Sequence, residues 1–369
     1  MALIFCCRRI LRWRAWGESL VTGMPPGTWS QIMTTNNDIV RASRCSARIG
    51  GIGIHLPGEP IPLAEIDLPH ALRRHLERTG QEITYSTGGS STELAISAAR
   101  DTLDKAGIHA ANIGLVISAP TLLTGFGLEI PAVAIRAELG LANADCLNIA
   151  QGCVGALAAI RIAAQFLHCE PDRGAVLIVT ACKASSLMRN FTHGSFSWGD
   201  AAAGILITAA SGEGPTVEFY AEQSATADWG AMRIPVGDAS MAPLVPDISL
   251  QINVDFPSHE AQIDYIMGEK ERCGGLINSL TSVAGIDASD IKAVFLPSFG
   301  RKRVPLLLEQ HPELIDRVAS DFRCAHLGGV DVLYFLDSYI HNSPPLSGSW
   351  SIALSPAFTA QWGGVLIRH

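Results

Sequence analysis

From Ala47 onward, apolar runs of strand length alternate with runs of helical length. Ala47 to His55 is apolar, carries Gly50, Gly51 and Gly53, and reads as a strand that ends at Leu56-Pro57-Gly58. Its glycines fit close packing against a neighbour, since GxGxxG and a following helix are both missing. Leu63 to Arg78 has helical spacing and stops at Thr79-Gly80. Ser91 to Ala106 follows with the start signal Ser90-Ser91-Thr92-Glu93. Ile113 to Ser118 is a buried strand, Pro131 to Leu139 a helix with proline in its first turn, and Cys146 to Ala150 a short strand. Val154 to Leu167 is a helix without a breaker, and Gly174 to Ala181 another buried strand. Ala261 to Cys273 reads as a further helix, with His259 just ahead of it. Strands separated by helices predict a mostly parallel sheet covered on both faces.

The pattern then repeats. Gly152-Cys153-Val154-Gly155-Ala156-Leu157 has a counterpart in Gly328-Gly329-Val330-Asp331-Val332-Leu333, each followed by a helix and an apolar strand. Phe196-Ser197-Trp198-Gly199-Asp200 is likewise matched by Ala360-Gln361-Trp362-Gly363-Gly364. Two copies of one βαβαβαββ unit, spanning 46–214 and 215–369, give pseudo-twofold symmetry. Ser186 to Ser197 is a loop of the first copy alone, and such loops often carry function.

Composition narrows the class. The chain has 369 residues, 48% hydrophobic and 17% charged, which excludes disorder and suggests extensive subunit contact. A net charge of -8 without a basic stripe gives no reason to expect nucleic acid. Nine cysteines lack any CxxC pair or short Cys/His ligand spacing, so neither a metal site nor a disulfide framework is expected, and a reducing cytoplasm fits. Residues 1–45 differ from the rest: an apolar start precedes Arg8, Arg9, Arg12 and Arg14, the reverse of a secretory signal and too short to span a bilayer. This extension is expected to be poorly ordered, or to precede a functional start at Met24 or Met33, with regular structure from Ser46.

One residue stands where a nucleophile belongs. Cys153 lies between the strand 146–150 and the following helix, at a helix N-terminus where unpaired N–H groups stabilise a thiolate and a thioester oxyanion. The competing reading is a buried structural cysteine, the commoner situation for a lone Cys in an apolar run.

The doubled unit, the Gln151-Gly152-Cys153 elbow, the segment Ile49 to Pro57, Trp198-Gly199-Asp200 and the terminal Trp362-Gly363 strand together resemble the thiolase fold, in its β-ketoacyl-acyl carrier protein synthase III branch. The resemblance covers Ser46 to His369. It implies a duplicated five-layer αβαβα architecture of the α/β class, an obligate dimer, and acyl transfer from thioesters through Cys153. It also implies a histidine after Leu-Val-Pro and an asparagine in a Gly-Asn-Thr-Ser turn. Here Ser298 stands in the first place and His326 in the second. A Gly-Gly-Gly segment that supplies the second oxyanion N–H, beside that of Cys153, is replaced by Pro356 to Ala360, which leaves the Phe358 N–H as donor. The tryptophan that stacks on coenzyme A is replaced by Arg74, ahead of Arg78-Thr79-Gly80.

Three readings of these departures stay open. In one, His326 serves as base for Cys153 with Ser298 as auxiliary donor, giving acyl transfer without decarboxylation. In another, His193 reaches the site from the extra loop. In the third, the site is degenerate and a homologous partner performs catalysis. The third matches the synthase-III-like subunit of the multicomponent acetyltransferase that acts on acylphloroglucinols in antibiotic biosynthesis, beside a thiolase-like subunit and a small OB-fold subunit. A binding module without acyltransferase chemistry is the reading of another class. The donor is left between acyl-CoA, an acyl carrier protein and a small acyl donor, with no resident cofactor. Asp200 is expected to tie down a turn, and Arg301 and Lys302 to begin a solvated helix.

Overall fold

The computed structural model describes residues 40–122, 129–186, 192–193, 196–210, 214–225, 259–357 and 360–369, without the side chains of 192, 193 and 259–262. The expectation for the N-terminal extension therefore lies outside the described residues up to 39. Val40 to His369 form one compact body.

The first repeat runs β1 (Arg41–His55), α2 (Ser91–Ala106), β4 (Ile113–Ser118), α3 (Pro131–Glu138), β5 (Asp145–Asn148), α4 (Gly155–Cys169), β6 (Ala175–Lys183) and β9 (Asp200–Ala209). Two short strands, β2 (Ile61–Pro62) and β3 (Ile83–Thr84), flank α1 (His70–Thr79), and β7 (Thr192–His193) pairs with β8 (Phe196–Ser197). The second repeat runs β10 (Thr216–Ser224), α5 (His259–Ala284), β11 (Ile291–Phe295), α6 (Val304–Leu307), α7 (Val330–Asn342), β12 (Trp350–Ala357) and β13 (Gln361–Arg368). It is one strand short of the expected unit. Where the counterpart of β5 belongs, Val318 makes only an isolated bridge to Val294.

Hydrogen bonding runs through nine strands in the order β11-β12-β13-β10-β1-β9-β6-β4-β5. Long β1 joins the halves: Arg41 to Arg48 pair with β10, and Ala47 to His55 with β9. That pairing explains why β1 starts ahead of Ser46 despite its polar beginning. A bulge between Arg44 and Ala47, with Ser46 at φ 48, lets the strand change partners. The sheet is mixed, not mostly parallel as expected. Three ladders are parallel and five antiparallel, because β9 follows β6, and β13 follows β12, without a crossover helix between them.

Helix boundaries depart from the expectation for local reasons. Leu63 to Glu65 form only a 3-10 turn, and α1 begins after Pro69, which has no N–H to give a helix and disfavours helical backbone at Leu68 before it. In contrast α5 continues past Cys273 through Gly274, where a Cβ would lie 2.1 Å from the Gln310 side-chain oxygen. The glycine lies under the Gln310 side chain and does not end the helix.

Three apolar layers give the five-layer arrangement. Alternate residues of β6 point to opposite faces: Leu177 and Val179 join Leu94, Ala98 and Ile135 beneath α2 and α3, while Val176 and Ile178 join Leu157, Ile160 and Leu333 around α4 and α7. The third layer packs Leu276, Ile277 and Leu280 of α5 on Leu354 and Leu366. Helix α4 meets the expected length and composition of a membrane span, yet it is the central helix of this core.

The glycines of β1 do serve close approach. Gly53 and its register partner Gly204 form a shallow groove for α2, and a Cβ on Gly53 would lie 2.3 Å from the Thr102 nitrogen and 2.7 Å from the Ala98 carbonyl oxygen. Both obstacles are backbone, so α2 would have to lift off. Gly53→Ala is therefore expected to cost about 1–3 kcal/mol, read as a lower urea midpoint. Gly88→Ala, which meets nothing within 4 Å, should leave that midpoint within about 0.5 kcal/mol of wild type.

Candidate active site

The two equivalent junctions of the repeat face each other. Gly152, at φ 55, turns the chain into a 3-10 turn, Gly152–Val154, that leads into α4. Gly328, at φ 67, makes the same turn ahead of α7. Left-handed backbone favours glycine at both. Gly329 lies so close to the first elbow that a Cβ there would stand 3.2 Å from the Cys153 carbonyl oxygen. That oxygen accepts a hydrogen bond from Ser355 Oγ at 2.9 Å, and Gly329 N–H donates to Thr121 Oγ1 at 2.8 Å.

Closing the two elbows brings three side chains into line. Cys153 Sγ lies 3.3 Å from His326 Nε2, and His326 Nδ1 lies 2.5 Å from Asp331 Oδ2. Cys153 is 4% exposed, and His326 and Asp331 are fully buried. With Asp331 ionised, the proton sits on Nδ1, and Nε2 faces the sulfur as acceptor from a thiol or donor to a thiolate. Asp331 is in turn held by Leu327 N–H on Oδ1 at 3.0 Å and by Ser298 N–H on Oδ2 at 2.7 Å, in the first turn of α7, where a negative charge is favoured.

His326 is fixed on every side. Its N–H donates to the Ser197 carbonyl at 2.8 Å, and its carbonyl accepts from Gly199 N–H at 3.0 Å. Three rings surround the imidazole: Trp198 at 4.5 Å, Phe299 at 4.6 Å and Phe196 at 5.6 Å between centroids. Burial alone pulls the His326 pKa down. The Asp331 carboxylate, and next the Cys153 sulfur, outweigh it and raise the value to about 9. Such an imidazolium and the N-terminus of α4 both face the Cys153 sulfur, which lies 3.3 Å from Nε2.

The sequence candidates divide accordingly. Cys153 and His326 meet as expected for a nucleophile and its base. Ser298 does not act as an auxiliary donor to them: its hydroxyl donates to the Cys324 carbonyl at 2.5 Å, and its contribution to the site is the backbone N–H on Asp331. The side chain of His193 and the Phe358 oxyanion donor lie outside the described residues. The Cys153 N–H belongs to the opening turn of a helix, where the first amides have no intrahelical acceptor, and is available as an oxyanion donor. Asp331 was not singled out from the sequence. The signal for it was an acid inside the apolar run Val330-Asp331-Val332-Leu333.

Asp200 has the structural role expected of it. Fully buried, it pairs with Lys183 at 2.7 Å and accepts from Ser185 N–H, Ser185 Oγ and Thr87 N–H. This clasp anchors the start of β9, two residues after Trp198. Arg301 and Lys302 lie in an exposed 3-10 turn. Gly300 abuts Thr79, which sets that turn beside the exposed Arg78 at the end of α1.

The comparisons fit this geometry. The family 3-Oxoacyl-[acyl-carrier-protein (ACP)] synthase III matches residues 147–225, which contain Cys153. The β-ketoacyl-[acyl-carrier-protein] synthase III of Rhodobacter capsulatus is 29% identical over 178 residues, covering 47% of this chain and 54% of that protein. The enzyme of the same name from Clostridium novyi (strain NT) is 31% identical over 105 residues, covering 28% and 32%. The chain thus spans about a third to a half of the length of these curated relatives.

Among solved structures, ChlB3 [Aceyltransferase] superposes with a TM-score of 0.72 at 18% identity, covering 87% of this chain and 97% of that one. The synthase III, FabH, from Pseudomonas aeruginosa PAO1 gives 0.72 at 18%, covering 87% and 98%. A single-residue variant of OleA from Xanthomonas campestris gives 0.70 at 14%, covering 88% and 98%. The chain shares the thiolase-type fold of these structures, and its residues 147–225 match the synthase III family model.

The raised His326 value has a testable consequence. A histidine whose folded pKa lies above its unfolded value, ~6.5, stabilises the fold fully below that value, and the stabilisation is lost as pH rises through about 9. Buried thiols such as Cys182 and Cys324, whose pKa values burial pushes up, also lose stability at alkaline pH. The comparison that isolates His326 is therefore with Asp331→Asn, in which burial dominates and the His326 pKa falls. Urea midpoints measured between pH 6 and pH 10 should fall more steeply in wild type than in Asp331→Asn, on the order of the charged-pair effects known for buried groups.

Proposed function

We propose that the chain is an acyltransferase that holds its acyl group as a thioester on Cys153. The observation that carries this reading is the buried line Cys153–His326–Asp331. In the first half-reaction the Cys153 thiolate attacks the carbonyl carbon of an acyl thioester, with helix N–H groups stabilising the oxyanion. The C–S bond of the donor breaks, and its sulfur leaves with the proton from His326 Nε2. In the second half-reaction an acceptor bearing an O–H, N–H or acidic C–H gives that proton back to Nε2 and attacks the acyl carbon. The Cys153 thiolate is released, and Asp331 keeps the imidazole in one tautomer throughout.

The acceptor retains all of its carbon on this reading. Decarboxylating condensation needs a donor group at the position of Ser298, whose hydroxyl is committed to Cys324. The aromatic wall around His326 keeps bulk water from the thioester, which favours transfer over hydrolysis. Acyl-CoA, an acyl carrier protein or a small thioester would approach past Arg78, Arg301 and Lys302, whose charge suits a phosphorylated carrier arm. A complete triad supports catalysis by this chain itself over catalysis by a partner alone.

A partner still has a place in the proposal. Among the described residues β5 pairs only with β4, which leaves an edge strand that itself carries Leu147 at 38% exposure, with Ile130 and Val133, near the start of α3, at 52% and 46%. An exposed edge with apolar side chains calls for a cover. We assign it to a homologous thiolase-fold subunit, with a small OB-fold subunit as a third component, in the acylation of a phloroglucinol-type acceptor in antibiotic biosynthesis.

Two experiments test these statements. Incubation with acetyl-CoA and with an N-acetylcysteamine thioester should add one acyl group by intact mass, and Cys153→Ala should abolish the adduct. His326→Asn, although it restores the family residue, should slow acylation by roughly 10²–10⁴-fold. Absence of an adduct with every thioester defeats the acyl-transfer reading. For the edge, Leu147→Arg should convert the assembly to monomers in sedimentation without loss of the folded far-ultraviolet spectrum; an unchanged oligomer places the partner elsewhere.

A further inference from the structure

One buried amide joins the segments that hold His326 and Asp331. Gln81 follows α1 and is 2% exposed. Its Nε2 donates to the Ser298 carbonyl at 2.9 Å, and its Oε1 accepts from Ser197 N–H at 2.8 Å. The two partners fix the amide orientation, since a carbonyl can meet only the nitrogen and an N–H only the oxygen. Each partner then touches the site directly. The Ser197 carbonyl accepts from His326 N–H, and Ser298 N–H donates to Asp331 Oδ2. The backbone of Gln81 is itself anchored, its N–H on the Leu76 carbonyl and that of Glu82 on the Arg323 carbonyl, three residues ahead of His326.

We propose that Gln81 is a positioning residue for the site, a staple that sets the Asp331 carboxylate against His326 Nδ1. Asp331 Oδ2 divides its lone pairs between His326 Nδ1 and Ser298 N–H. A shift of Ser298 therefore changes the share left for the imidazole. Without the staple, Ser298 is held by its hydroxyl on Cys324 and by the bond to Asp331 itself, and the segment carrying Ser197 loses one of its ties to the second repeat. Among the described residues, the titratable groups that face His326 are Cys153, from the turn before α4, and Asp331, from α7; Phe196, Trp198 and Phe299 present only rings. The consequence for turnover rests on the acyl-transfer reading, whereas the effect on His326 does not.

The test reads His326 itself. Gln81→Met keeps the length and bulk of the side chain and removes both hydrogen bonds. Gln81→Asn keeps an amide too short to span both partners, and serves if the first variant does not fold. Histidine side-chain resonances of the full chain are titrated, with His326 assigned by its loss in His326→Asn. In either Gln81 variant the His326 midpoint should fall by about one pH unit, a tenfold change in the proton equilibrium. Thr102→Val, which removes a buried hydroxyl bond within α2, should lower the melting temperature while leaving the midpoint unchanged. A midpoint equal to wild type in the Gln81 variants, whatever their stability, overturns the proposal. Should wild type take no acyl group from any thioester, the acyl-transfer reading fails while the titration still decides the role of Gln81.

Discussion

The structure depends on one contact, the pairing of His326 with Asp331 where neither side chain meets solvent. Removing two such groups from water is expensive, and their mutual attraction offsets the cost only if the remaining lone pairs are satisfied. Here they are. Asp331 takes two backbone N–H groups besides the imidazole and sits at the positive end of α7. The bent backbone that aims those N–H groups requires Gly328 in the left-handed region, and Gly329 without a side chain against Cys153. A pair whose satisfaction spans the 298 turn, the 327 turn and the start of α7 tolerates little displacement of any of them.

Duplication explains how such a site arises from one kind of unit. Each copy ends a connection with a glycine at positive φ and starts a central helix, and the pseudo-twofold axis brings the two helix starts together. The first copy contributes the sulfur at its elbow. The second has glycine at that position and contributes the base and the acid that flank it, His326 and Asp331. One junction thus carries the thiol and the other the imidazole and carboxylate that face it.

How much of this could be read from the sequence follows from what each residue depends on. Cys153 was legible from a local signal, a glycine turn ahead of an apolar helix, whereas His326 and the five-layer fold were legible only through the resemblance. The apolar runs alone pointed to a mostly parallel sheet, which the antiparallel ladders of β9 and β13 correct. Asp331 was hidden inside such a run, since its partners lie on segments distant in sequence. Ser298 was misread for a related reason: residue type does not tell which way a hydroxyl points, and this one points at Cys324. The early start of β1 was missed because Arg41 to Arg44 carry the polarity of a surface segment, and only the pairing with β10 makes them a strand.

The dryness of the site links the pair to the chemistry. In water a thiolate and an imidazolium gain little from proximity, because the solvent screens them and offers each its own hydrogen bonds. Enclosed by Phe196, Trp198 and Phe299, the same two charges have only each other and Asp331. The low dielectric that makes the arrangement costly to fold also makes it effective, since charge moving from sulfur to carbonyl oxygen and back meets dipoles already in place. It also sets the direction of the reaction. In the acyl transfer proposed above, an acyl group on Cys153 that bulk water cannot reach persists until a molecule able to enter the apolar enclosure presents a proton to His326, so the choice of acceptor lies with the walls of the site more than with the triad.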